Sequence, residues 1–240
     1  MSQNPYQATG AYPNTSEFAE SDARATFVRR TYLHLLGAIL ACAALDAVIL
    51  TVFDEQLKPM VQWVQQGWHW LAFLGAFMAV SYIADRWAHS NTSRQMQYIG
   101  LGVYVLAEAI ILIPLLWIAE HYCQGGAIQT AGLMTAIVFG GLTVTVFVTK
   151  ADFSFLRWAL VAGSFIALAL IVVGVMAGFT LGLWFSVAMV VLAAGMILYN
   201  TSNVLHHYNT EQYVAASLAL FASIALLFWY VLQIVMSQGE

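Results

Sequence analysis

An all-α, polytopic integral membrane protein with seven transmembrane helices is the fold that this sequence predicts, and three observations predict it. Of the 240 residues, 61% are hydrophobic and 8% charged, far from the balance of a soluble domain. The apolar residues gather into seven runs separated by short polar segments. Finally, if all seven runs cross a bilayer, Arg24, Arg29, Arg30, Arg86, Arg94, Lys150 and Arg157 fall on one side, with Lys58 the exception.

Residues 1–24 are rich in Gln, Asn, Thr, Pro and Ala and poor in branched aliphatics. They cannot bury enough apolar surface to offset ordering, and they read as a flexible cytoplasmic tail ahead of a membrane domain at 25–240. The N-terminus has neither the basic start nor the apolar core of a cleaved signal peptide, so targeting falls to the first span.

That span covers 32–53. Asp54, Glu55, Lys58 and Pro59 then read as a turn, and VQWVQQGWHW from Val61 as an interfacial cluster of aromatics and Gln. The second span, 70–84, closes with Asp85, Arg86 and Trp87. The third, 98–118, contains Pro114, which removes a backbone donor and predicts a kink. The fourth covers 127–148, and in the connection TKADFS either Asp152 or Ser154 is placed to cap the fifth, 155–177. The sixth covers 183–205 and the seventh 213–236. The positive-inside rule then sets the N-terminus in the cytoplasm and the C-terminus outside.

The stretch 196–230 organises the rest, because it contains no Lys, Arg or Asp and joins two apolar helices through a short polar bend. A helix that is apolar on every face needs lipid or other helices around it. Asn200 and Ser223 come to similar depth on the two sides of the bend and can face each other. Two acids fall within apolar runs, Asp46 in the first and Glu108 in the third. A carboxyl at that depth is costly if ionised and unpaired, so it faces the bundle interior. It serves there either as part of a proton or cation path or as a neutral hydrogen-bonding group.

His206 and His207 with Glu211 do not make a metal site: adjacent histidines point about 100° apart on a helix, and they read as a solvated cytoplasmic bend. Cys42 and Cys123 sit at different depths, which disfavours a disulfide. Gly174, Gly178 and Gly182, four apart, predict a close approach of another backbone. No nucleophile elbow or phosphate loop occurs, and the pair Ser164 and His34 is not singled out by spacing. The reading is a non-enzymatic protein with no cofactor and no nucleic-acid partner, whose surround is the lipid bilayer.

The segments KADFSFL at 150–156 and ILYNTSNVLHHYNTEQYVAASLALF at 197–221 resemble the Bax inhibitor-1 family, and within it the bacterial YccA-like branch. The resemblance implies that six helices surround a central seventh. It implies a bacterial inner-membrane location. In many members of that family two aspartates on the sixth and seventh spans share a proton and latch a calcium leak; here those positions are Asn200 and Ser223, and neither titrates. The YccA-like branch implies instead a modulator of FtsH, a membrane-anchored protease. That modulator is the leading expectation, and a cation (calcium) leak through Glu108 and Asp46 the second. A filled core between Glu108 and the last two helices favours the first, and a continuous polar cavity there favours the second.

Overall fold

The computed structural model describes residues 15–90, 93–123 and 125–238, with side chains from residue 21 onward. They form eight α-helices: α1 (Thr15–Val52), α2 (Asp54–Val64), α3 (Trp68–Ala88), α4 (Arg94–Tyr122), α5 (Ala127–Thr149), α6 (Arg157–Ala177), α7 (Gly182–His206) and α8 (Tyr213–Ser237). A single 3₁₀ turn, Ser154–Leu156, leads into α6.

Among the described residues, six helices singly have the length and apolarity to cross a membrane. The expected second span does so only when α3 is joined to α2 across a 105° bend, so the count is six or seven. The expected tail is helical over residues 15–24, as the start of α1, while residues 1–14 lie outside the described residues. At 38 residues α1 is roughly 57 Å long, nearly twice the hydrocarbon thickness of about 30 Å.

The expected turn at 54–59 is instead the amphipathic helix α2. Leu57, Val61 and Val64 repeat at helical spacing and are buried, Leu57 and Val61 in a cluster with Ile113 and Trp117 of α4. Pro59 is accommodated inside it, and the Trp117 indole N–H donates to Asp54 at 2.8 Å, pinning the start of α2 to the C-terminal half of α4. Gly67, at φ 50°, makes the corner between α2 and α3.

The core is built on two helices. α8 packs against α1, α3, α4, α5 and α7. α4 buries fifteen of its 29 residues and α8 fifteen of its 25. α6 touches α7 and α3 but stays off α8, so five helices enclose α8 where six are expected. α3 and α4 approach closely at Gly100, where a Cβ would come within 2.6 Å of both the Ala84 carbonyl oxygen and the Ala88 nitrogen. The stripe of glycines four apart does not pack a helix. Gly178 and Gly182 have φ of 72° and 68° in the α6–α7 turn, and the Phe179 N–H closes α6 on the Gly174 carbonyl at 3.1 Å.

Contacts gather three of the basic residues, Arg24, Arg30 and Arg94, around the α7–α8 bend. Arg24 donates to the Tyr208 carbonyl at 2.6 Å, where a cation complements the exposed carbonyls after α7. Arg30 lies 5.6 Å from the Tyr213 ring, and Arg94 meets Glu211 at 2.5 Å. The Arg94 pair is exposed and adds little stability by itself.

Candidate functional site

α7 and α8 form a hairpin, and their facing polar groups are paired without a charge. The Asn200 side-chain amide donates to the Ser223 hydroxyl at 2.8 Å and to the Ala219 carbonyl at 3.1 Å. The Ser223 hydroxyl in turn donates to Ala219 at 2.9 Å. A second clasp lies toward the other end, where the Ser186 hydroxyl donates to the Gln233 side-chain oxygen at 3.0 Å. Interhelical hydrogen bonds of this kind contribute about 0.6 kcal/mol on average in a membrane, up to about 1.7, so the two clasps align the helices without locking them.

Beside this hairpin the core is open. A cavity of about 820 Å³ lies among α3, α4, α6, α7 and α8. On α8 its wall runs from Leu218 to Gln233, roughly 22 Å along the axis. Asn200, Ser223, Ser186 and Gln233 all border it, together with Glu108 and Asp85. No Lys, Arg or His occurs among the described residues of the wall. Of the two alternatives the sequence leaves open for this space, a filled core and a cavity, the structure has the cavity. Sequence alone misses this space because five separate helices bound it and no local pattern encodes a void.

Glu108 is 6% exposed and lies one turn after Tyr104 on α4, and both line the cavity. Asp85, whose side chain is half exposed, sits next to the Ala84 that abuts Gly100, so Glu108 is about 12 Å deeper along α4. Tyr104, four residues from each of Gly100 and Glu108 on α4, lines the cavity between the two levels. Phe179, at 50% exposure, borders the cavity in the α6–α7 turn, so the wall reaches accessible groups at both ends. Asp46, also 6% exposed, does not line it. One of its oxygens accepts from the Cys42 thiol at 3.6 Å, the other has no hydrogen-bond partner, and the carboxyl is close enough to Glu108 to interact electrostatically. Asp85, Ser186 and Gln233 are the site residues that sequence reasoning missed. Their signal was polarity at the end of, or within, apolar spans.

His206 and His207 stand apart from the cavity, and among the described residues no group of three or more His, Cys, Asp or Glu could hold a metal ion. Their rings lie 6.3 Å apart at 70°, and His206 bonds to the Ser202 carbonyl at 3.1 Å. His207 faces Asp152 at 3.7 Å. The bend thereby docks the α5–α6 connection: the Phe153 N–H donates to the buried Ser202 hydroxyl at 3.0 Å, and Asp152 accepts from the Ser154 N–H at 2.9 Å. The Ser154 N–H, with help from His207 and Ser202, holds the Asp152 carboxyl below its ordinary 3.8. A depressed folded value means that this attachment is complete above that pH and is lost as pH falls below it. Ser164 donates to Leu160 of its own helix and His34 bonds to Arg30 and Tyr98, so that pair is not brought together.

A family model described as inhibitor of apoptosis-promoting Bax1 matches residues 24–240. Among relatives, an uncharacterised membrane protein of Vibrio cholerae is 32% identical, covering 94% of this chain and 96% of that protein. An uncharacterised protein of Pseudomonas aeruginosa is 30% identical over 93% of this chain and 94% of its own length. Bax inhibitor 1 of Schizosaccharomyces pombe is 26% identical over 97% and 84%.

Proposed function

This chain belongs to the Bax inhibitor-1 family, and on that premise we propose that it is a cation leak in a bacterial inner membrane, with the cavity beside α8 as its path. The supporting observation is the charge pattern of the wall: two carboxyls at successive depths, uncharged hydroxyl and amide groups beyond them, and no basic residue. A cation entering at Asp85 meets Glu108 about 12 Å further in and the Ser186–Gln233 clasp after that. An anion meets two carboxyls and no basic residue on the wall, although His89 lies 3.3 Å from Asp85 at the entrance. Calcium is the ion that the family resemblance implies. Asn200 and Ser223 serve as an uncharged clasp at the level where relatives would carry an acid pair, so this junction does not respond to pH.

The alternative of an FtsH-type protease modulator rests on the YccA-like segments and on residues 1–24, and the cavity lends it no support. The orientation follows the gathered basic residues, with the α7–α8 bend in the cytoplasm and the C-terminus outside. Proteoliposomes enclosing a calcium dye test the path. Glu108→Gln, which keeps shape and removes the titratable carboxyl, is expected to slow entry at least about tenfold, as befits the loss of the deepest carboxyl that a passing cation meets. An unchanged rate would remove Glu108 from the path.

A further inference from the structure

The chemistry of the cavity wall goes beyond what an inorganic ion requires, and we propose that the cavity binds a lipophilic organic monocation. This rests on the reading of the same space as a cation path, and it names a resident class of ligand for it. A volume of about 820 Å³ matches small-molecule sites, which span about 300 to 1,000 Å³. A metal ion passing through needs far less space. A divalent ion that lodges also asks for about six to eight oxygen ligands. The wall offers two carboxyls, Glu108 and Asp85 about 12 Å apart, with scattered hydroxyl and amide groups and apolar surface between, too few oxygens at any one point for such a shell.

Aromatic faces make up much of that surface. Trp70 of α3 and Trp229 of α8 stack at 5.6 Å and 24°, and both border the cavity. Phe77 meets Tyr104 edge to face at 6.3 Å, and both line the cavity with Glu108. A soft cation with an apolar body is held by such faces through the ring quadrupoles as well as by burial. The single deep carboxyl fixes its charge. An amine or onium compound can satisfy both at once, whereas an anionic lipid or a fatty acid would set its carboxylate against Glu108 with no basic residue to receive it. Lateral entry fits the architecture, because α6 closes the cavity on one side while touching only α3, α7 and the 3₁₀ turn.

The test compares two tetraaryl ions of the same shape and opposite charge, tetraphenylphosphonium and tetraphenylborate. Each is titrated calorimetrically into the full chain in a neutral detergent. Saturable binding of the phosphonium is expected, with the borate at least about tenfold weaker. The borate partitions into micelles more readily, so simple greasiness would reverse that order. Glu108→Gln, checked for helix content and monodispersity, is expected to bring the two affinities within about threefold of each other. Equal affinity of the two ions for the unaltered protein would overturn the proposal, as would undiminished preference for the phosphonium in Glu108→Gln. The comparison on the unaltered chain stands whether or not the variant folds. Because this is equilibrium binding in detergent, a protein that binds the phosphonium yet passes no calcium fails the leak reading alone. One that leaks calcium without distinguishing the isosteres fails only this inference.

Discussion

Gly100→Val is expected to break the pairing of α3 with α4 and lower stability by at least about 3 kcal/mol, the upper range for overpacking a tight contact. The added Cβ alone would sit 2.6 Å from two backbone atoms, the Ala84 carbonyl oxygen and the Ala88 nitrogen, and neither can rotate away as a side chain would. Ala84 and Ala88 are themselves buried, so the small residues on both helices set the distance at which the helices meet. α3 carries Asp85, Ser81 and Trp70 into the cavity wall, and it touches α6 and α8 more sparsely than it touches α4. Thermal unfolding in detergent followed by circular dichroism measures the effect. Gly102→Val, at a position where a Cβ meets nothing within 4 Å, is the matched control and is expected to leave the midpoint in place.

Converting the clasp to an acid pair, Asn200→Asp with Ser223→Asp, is expected to make flux rise steeply with pH. The two side chains meet at 2.8 Å, a separation at which two carboxylates repel by on the order of 6 kcal/mol at an effective dielectric near 20. At low pH a shared proton lets them bond as the Asn and Ser do, and flux should match the unaltered protein. At high pH both ionise, α7 and α8 are driven apart, and the cavity widens where Asn200, Ala219 and Ser223 border it. Parallel pH series on the double variant and the parent, in the dye-loaded vesicles, read the difference. A variant that tracks its parent at every pH would show that the clasp does not bound the path.

The sequence makes the helices legible because hydropathy reports burial in lipid and burial in protein alike, and for the same reason it misplaces the core. The family resemblance, rather than apolarity on every face, implies α8 at the centre, and five helices do enclose it. α6 is equally apolar, yet Phe165, Ile166 and Met176 are exposed and it stands at the periphery. α4 carries Glu108 and Pro114 and is buried along most of its length. α2 was misread because Asp54, Lys58 and Pro59 resemble a turn, although Leu57, Val61 and Val64 already repeat at helical spacing. The facing of Asn200 and Ser223 was open to simple counting of helical rise. The Ser186–Gln233 clasp was not, since only the crossing of α7 over α8 brings those two together.

A cation path beside α8 requires water in the cavity. In a background with Cys42→Ala and Cys123→Ser, a single cysteine at Ala222, on the wall, and another at Ala215, buried and off the wall, can be exposed to a charged, membrane-impermeant thiol reagent. Rapid modification at 222 with none at 215, and slower modification at 222 after Glu108→Gln for a cationic reagent than for the parent, is the expected outcome. If 222 is as unreactive as 215, the cavity is dry and no cation passes along α8.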